Sequence, residues 1–171
     1  KPGSVGIAAG PEVRIMDEAG NLLESGALGE VVIRGPNVTK GYEANPDANL
    51  KGFANGWFRT GDQGTIDEEG YLRITGRLKE LINRGGEKVS PLEVDEIVMD
   101  HPAVAQVVTF AMPHDKLGEE VAAAIVLREG QTATEREIRD FAAKRLSDYK
   151  VPRKVVFLAE IPKGATGKLQ R

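Results

Sequence analysis

Cysteine is absent from the 171 residues, which excludes a disulfide framework, a thiolate nucleophile and a thiolate metal site. The absence fits a reducing compartment, and a cytoplasmic location is expected. Histidine occurs twice. His101 and His114 each sit beside a proline, read as a helix stop and a loop residue, and are assigned no chemistry. No metal site is read from the sequence. Met16, Met99 and Met112 are too scattered to be more than packing residues. No apolar run approaches the roughly 18 residues that span a bilayer, and no signal-peptide pattern opens the chain, so no membrane span is expected. The net charge of −3 comes from interspersed acidic and basic residues, which argues against a nucleic-acid surface or a polybasic membrane anchor. Internal repeats and low-complexity segments are also missing. The chain begins with Lys1 rather than methionine and stops shortly after Leu169, and a cut or processed polypeptide is the expectation.

What is present divides into two halves. The length suits one large or two small domains, and 40% hydrophobic with 29% charged residues is the composition of a globular protein. The first half is rich in glycine, turns and short β-type runs. "VRIMD" (13–17) alternates, 18–20 turn, and "GEVVIRG" (29–35) reads as a strand punctuated by glycine. Asn45 and Pro46 form the N-cap and first position of a short helical turn. "GTIDEEGYLRITG" (64–76) reads as two strands around a turn at 67–70. Strands so closely spaced predict a small barrel or sandwich up to about Gly76.

The second half changes rhythm. "SPLEVDEIV" carries a capping box, with Ser90 as cap and Glu93 reaching back, ahead of an apolar face of Val94, Ile97 and Val98. "AVAQVVTFAM" and "EVAAAIVL" read as buried strands. "TERE" (134–137) opens a second capped helix with Ile138, Phe141, Ala142 and Leu146 on one side, and "KVVFL" (154–158) reads as the last strand. The fold class is therefore α+β, a barrel-like subdomain followed by helices packed on a small sheet, with the boundary near 76–80.

Four loop features carry the candidate chemistry: "GWFRTGD" with Asp62 on a loop, "GRLKE" with Arg77 and Lys79 at the boundary, "NRGGEK" with Gly85 and Gly86 between a strand and a helix start, and the closing "PKGATGKLQR". Each alone has a plain reading: an Asp turn, solvated linker charges, a turn needing positive φ, an exposed lysine. The closing segment is not a phosphate loop. A P-loop needs glycine five places before its Gly-Lys pair and Ser or Thr after it; here those places hold Pro162 and Leu169.

Together, in this order, the words "GEVVIRGPNVTKGYEANP", "GWFRTGDQGTIDEEGYLRITGRLKELINRGGEKVSPLEVD", "DYKVP" and "PKGATGKLQR" make the chain resemble the C-terminal portion of the adenylate-forming enzymes. These comprise the acyl-CoA synthetases, the adenylation domains of peptide synthetases and the luciferases, and the glycine loop is most similar to the acyl-CoA synthetases. The resemblance implies an ATP-dependent acid-thiol ligase whose substrates are a small carboxylic acid, ATP and coenzyme A, with Mg travelling with the nucleotide and not ligated by this segment. It implies that residues 1–76 are the last β-rich subdomain of a large AMP-binding region and that 77–171 are a mobile C-terminal domain hinged at 77–80.

Residue by residue, the resemblance gives Asp62 the ribose hydroxyls of ATP, Arg77 the nucleotide and Lys79 the hinge. It gives Gly85 and Gly86 the pantetheine arm of CoA, and Asn83 a contact with the adenylate. Lys168 matches the catalytic lysine of adenylate formation. The triphosphate loop, the adenine grip and the acyl pocket belong to an upstream region, so this segment by itself is expected to be inactive and to need that region as its partner. The glycine loop leans toward small acids such as oxalate. Two alternatives remain open at this point: an adenylation domain that loads a carrier protein, and a non-catalytic module that binds a nucleotide or a partner.

Overall fold

A computed structural model describes residues 1–164 and Leu169; Lys168 lies outside the described residues. The fold is α+β, in two compact units, Lys1–Lys79 and Glu80–Arg171.

The first unit is an antiparallel sheet in the order β1-β6-β5-β3-β2, with β4 also pairing β5. Its strands are β1 (Gly6–Ile7), β2 (Glu12–Met16), β3 (Gly29–Arg34), β4 (Phe53–Ala54), β5 (Trp57–Ile66) and β6 (Tyr71–Arg77). The strands expected at 13–17 and 29–35 are β2 and β3. The hairpin expected across 64–76 joins β5 to β6, and the Asp67 carboxylate closes its turn by accepting from the N–H groups of Glu69 and Tyr71. Irregular register between β3 and β5 and between β5 and β6 bends and twists the sheet, which gives it a curled, barrel-like form. Met16, Val32 and Trp57 form its small core, and the Arg34 guanidinium covers the Trp57 ring at 4.4 Å. Helix α1 (Pro46–Gly52) starts as expected, with Asn45 Oδ1 accepting from Ala48 N.

The second unit is built around β10 (Gly118–Leu127). Along one side it pairs antiparallel with β9 (Val104–His114). Along the other it pairs in parallel with β11 (Lys154–Phe157) and, at its start, antiparallel with β7 (Ile82–Arg84), which in turn pairs antiparallel with β8 (Glu87–Val89). A parallel neighbour needs a crossover, and α3 (Glu135–Ala143) lies in the chain between β10 and β11. Every residue from Val121 to Ile125 is at most 7% exposed, the continuous burial that the unbroken apolar run predicts. Val121, Ala123 and Ile125 pack with Val94 and Val98 of α2 (Pro91–Met99) and Ile138 and Ala142 of α3.

Both halves of the expected box form at Thr134 and Glu137. At α2 the Ser90 hydroxyl caps Glu93 N, but the Glu93 carboxylate is taken by Lys150 Nζ at 2.7 and 2.8 Å. A full charge close by is a stronger partner than a backbone N–H. Met16 is buried, whereas Met99 is 40% exposed and does not serve the core as expected.

Removing the Ile125 side chain is expected to cost about 2–5 kcal/mol, whereas Leu50→Ala, at an 81% exposed position, should stay within about 0.5 kcal/mol; urea unfolding measures both.

The Glu120 carboxylate, 4% exposed, holds β7 to β10 by accepting from Arg84 Nε at 2.6 Å and from Val121 N at 2.9 Å. Burial pushes its acid group up. The hydrogen bonds from Arg84 and Val121 and the charges of Arg84 and Arg153 outweigh burial and hold it below the usual carboxylate range. A depressed folded-state pKa contributes stability that is complete above the unfolded value of about 4.3 and is lost as pH falls through the folded value. The second unit should therefore lose stability progressively below about pH 4.3. Glu120→Gln should flatten that acid limb and leave Arg84 unpaired at neutral pH, costing on the order of 3 kcal/mol. Denaturant titrations between neutral and acid pH test both statements.

Candidate functional site

In the first unit the site is built where a strand leaves its ladder. Glu30 of β3 pairs with Gln63 of β5, and Val32 pairs with Arg59. Two steps along β3 thus face four along β5, and residues 60–62 bulge. On the other side of the bulge, Asp62 pairs directly with Arg77 of β6. Asp62 therefore sits within a strand and not on the loop that "TGD" predicted. Gly61, with φ +75°, absorbs the turn that the glycine signalled, and pairing with β6 keeps the segment in the sheet.

The cross-strand partners Asp62 and Arg77 form an ion pair, Nε to Oδ1 at 2.8 Å, with side chains 28% and 60% exposed. A half-exposed carboxylate beside a guanidinium can accept hydrogen bonds from a vicinal diol while the guanidinium faces an anion. Arg77 also lines a cleft of about 570 Å³ within this unit, together with Lys51, Arg59, Gly61, Lys79 and Glu30. Four cations against one carboxylate favour an anionic occupant. Lys79 is exposed, in a 3-10 turn, Leu78–Glu80, and the division between the two units falls directly after it.

The bulge is held from beneath by Glu30, 6% exposed. One carboxylate oxygen accepts from Arg59 Nε at 2.6 Å and the other from Gly61 N at 3.0 Å. The Thr60 hydroxyl donates to Val31 O and accepts from Asp62 N. Sequence reading passed over Glu30. An acid inside the otherwise apolar strand "GEVVIRG" was the available signal.

In the second unit Asn83, Gly85 and Gly86 come together at one tight turn. Gly85 and Gly86 link β7 to β8 as a two-residue loop with φ +61° and +98°, the pattern of a type I′ hairpin. The sequence placed them before a helix; the short strand β8 intervenes. Asn83 Oδ1 accepts from Gly86 N at 3.1 Å, Asn83 N donates to Glu119 Oε2 at 2.6 Å, and Gly85 N donates to Leu117 O at 2.9 Å. A Cβ on Gly86 would meet nothing within 4 Å, whereas one on Gly85 would meet Leu117 at 3.0 Å, so the turn offers open backbone at Gly86. His114 ends β9 and is not a loop residue; its Nδ1 accepts from the N–H groups of Lys116 and Leu117 and so fixes the turn that supplies Leu117 O. Glu119 and His114 are further supports that the sequence reading missed. Among the described residues no group of three or more His, Cys, Asp or Glu side chains could hold a metal ion, and no helix is long and apolar enough to cross a membrane.

Residues 93–168 match the family described as "AMP-binding enzyme C-terminal domain". The oxalate–CoA ligase of Arabidopsis thaliana is 54% identical over 171 residues, which are 100% of this chain and 33% of that protein. The crystal structure of ATP-bound MatB from Rhodopseudomonas palustris superposes with a TM-score of 0.92 at 37% identity, covering 99% of this chain and 34% of that one. The o-succinylbenzoate CoA synthetase of Bacillus subtilis, in complex with its acyl-adenylate intermediate OSB-AMP, gives a TM-score of 0.90 at 36% identity over 99% of this chain and 34% of that chain. The chain thus spans about a third of the length of the curated relatives it matches. Over residues 93–168 it is similar to the AMP-binding enzyme C-terminal domain family.

Proposed function

We propose that this chain is the C-terminal portion of an AMP-forming acyl-CoA ligase, which converts a carboxylate, ATP and CoA into acyl-CoA, AMP and pyrophosphate. The observation that carries the proposal is the Asp62–Arg77 pair. It is a half-exposed carboxylate locked to a guanidinium on adjacent strands, in a chain alignable over its full length with a CoA ligase. The pair suits a nucleotide. Asp62 accepts the two ribose hydroxyls, and Arg77 holds the anionic part in place.

In the first half-reaction a carboxylate oxygen attacks the α-phosphorus of ATP, the bond to pyrophosphate breaks, and an acyl-adenylate forms. Lys168, placed by resemblance in motif and not among the described residues, sets its ammonium between the two anions and lowers the barrier by several kcal/mol, on the order of a thousandfold in rate. In the second half-reaction the CoA sulfur attacks the acyl carbonyl carbon, the thiol proton is released and AMP leaves. Gly85 and Gly86 pass the pantetheine arm, because bare backbone lets a chain run close. Asn83 fastens that turn and touches the adenylate. Lys79 is the hinge about which the C-terminal domain, 77–171 in this reading, turns between the two half-reactions. The region with the acyl pocket and triphosphate loop completes the enzyme, Mg enters with the nucleotide, and oxalate is the first acid to assay.

In the complete enzyme, Lys168→Ala should reduce ATP–pyrophosphate exchange by about a thousandfold and leave thioester formation from supplied acyl-adenylate nearly unchanged. Gly86→Val should do the reverse. Loss of the same half-reaction in both variants would end the two-conformation reading. Free CoA should serve as acceptor in the complete enzyme; turnover only with a carrier protein would point instead to a carrier-loading adenylation domain.

A further inference from the structure

A bulge takes backbone N–H groups out of the strand ladder, and each needs another partner. In the bulge at 60–62 the two groups nearest the Asp62 carboxylate find theirs separately. Asp62 N donates to the Thr60 hydroxyl at 3.1 Å, and Gly61 N donates to Glu30 at 3.0 Å. Glu30 therefore meets two donors with two oxygens, since Oε2 also takes Arg59 at 2.6 Å. A carboxylate 6% exposed carries a desolvation penalty unless both oxygens are engaged. Here the engagement sets where the chain turns at Gly61, one residue before Asp62.

We propose that Glu30 is a positioning residue for nucleotide recognition: its buried carboxylate fixes the bulge at 60–62 and so aims Asp62 at the ribose hydroxyls. The inference rests on the assignment of Asp62 to the ribose. Glu30 itself touches no substrate. Its action runs through Gly61 N and Arg59, so losing it should blur the recognition of hydroxyls specifically and not only slow the enzyme.

The test is the ratio of kcat/KM for ATP to that for 2′-deoxyATP in pyrophosphate exchange, measured on the complete enzyme with thermal unfolding alongside. The wild type should prefer ATP by about tenfold to a hundredfold, the worth of a hydrogen bond to a charged group. Asp62→Ala should bring the ratio close to one, and Glu30→Ala should bring it most of the way down. Should Glu30→Ala fail to fold, Glu30→Gln serves. An amide puts an NH2 group, itself a donor, against either Arg59 or Gly61 N, which now face separate oxygens, so one contact is lost and the ratio should again fall. A purely structural role would lower activity with both nucleotides equally and keep the ratio. If the ratio collapses in Asp62→Ala but stays at the wild-type value in the folded Glu30 variant, the positioning role is overturned. If Asp62→Ala keeps the wild-type ratio, the ribose assignment falls, and the role of Glu30 with it.

Discussion

A backbone N–H that leaves its ladder inside a folded chain must find another acceptor, and both candidate sites are built on that requirement. In the first unit the bulge at 60–62 is satisfied by Glu30 and the Thr60 hydroxyl. In the second, the turn at Gly85 and Gly86 is satisfied by Asn83 Oδ1 and Leu117 O. In each case the residues that resemble a ligand-binding motif sit where regular pairing stops, and the acceptors that make the interruption tolerable come partly from the same strand, Thr60 and Asn83, and partly from elsewhere in the unit, Glu30 and Leu117.

The acidic residues accordingly divide by burial. Asp62 is 28% exposed at its side chain, and its support Glu30 is 6% exposed. A carboxylate that is to accept from an incoming molecule must be reachable by it. One that holds a backbone must be fully engaged, or its desolvation becomes a net cost. The adjacent residues Glu119 and Glu120 of β10 make a related arrangement. Successive side chains of a strand point to opposite faces, yet both secure β7, Glu119 through Asn83 N and Glu120 through the Arg84 guanidinium. The hairpin bearing the two glycines is thus anchored by charge at the strand that leads into it.

Much of the fold was legible because it depends on local pattern. The capped starts at Asn45 and Thr134, the Asp67 turn and the continuous burial of β10 each follow from residues close together in the chain. Three of the misplacements have one cause in common, a partner distant in sequence. Glu93 has the spacing of a capping residue but is claimed by Lys150, 57 positions away. "TGD" has the composition of a turn, but pairing with Arg77 keeps Asp62 in a strand. "GGEK" runs toward a capped helix, and only contact with Leu117 and with Gly118 of β10 shows that a hairpin comes first. His114 was set aside for its proline neighbour, while its value lies in two N–H groups of the turn that follows it.

Glu30 is the instructive omission, since its signal was present in the sequence and was passed over. An acid between Gly29 and Val31, on a strand whose next two residues are at most 3% exposed, cannot be a solvent-facing punctuation mark if Gly61 and Arg59 lie opposite it. Strand alternation says only that Glu30 and Val31 face apart; it does not say which face is wet. What decides is the partner strand. A two-residue excess on β5 turns a backbone donor and a guanidinium toward the same point, and a carboxylate meets the two with one oxygen each while balancing the guanidinium charge. The acid in β3 and the glycine of "TGD" are therefore one feature seen from two strands, and a buried acid in an apolar strand is better read as an anchor for an interruption elsewhere in the sheet than as a break in its own strand.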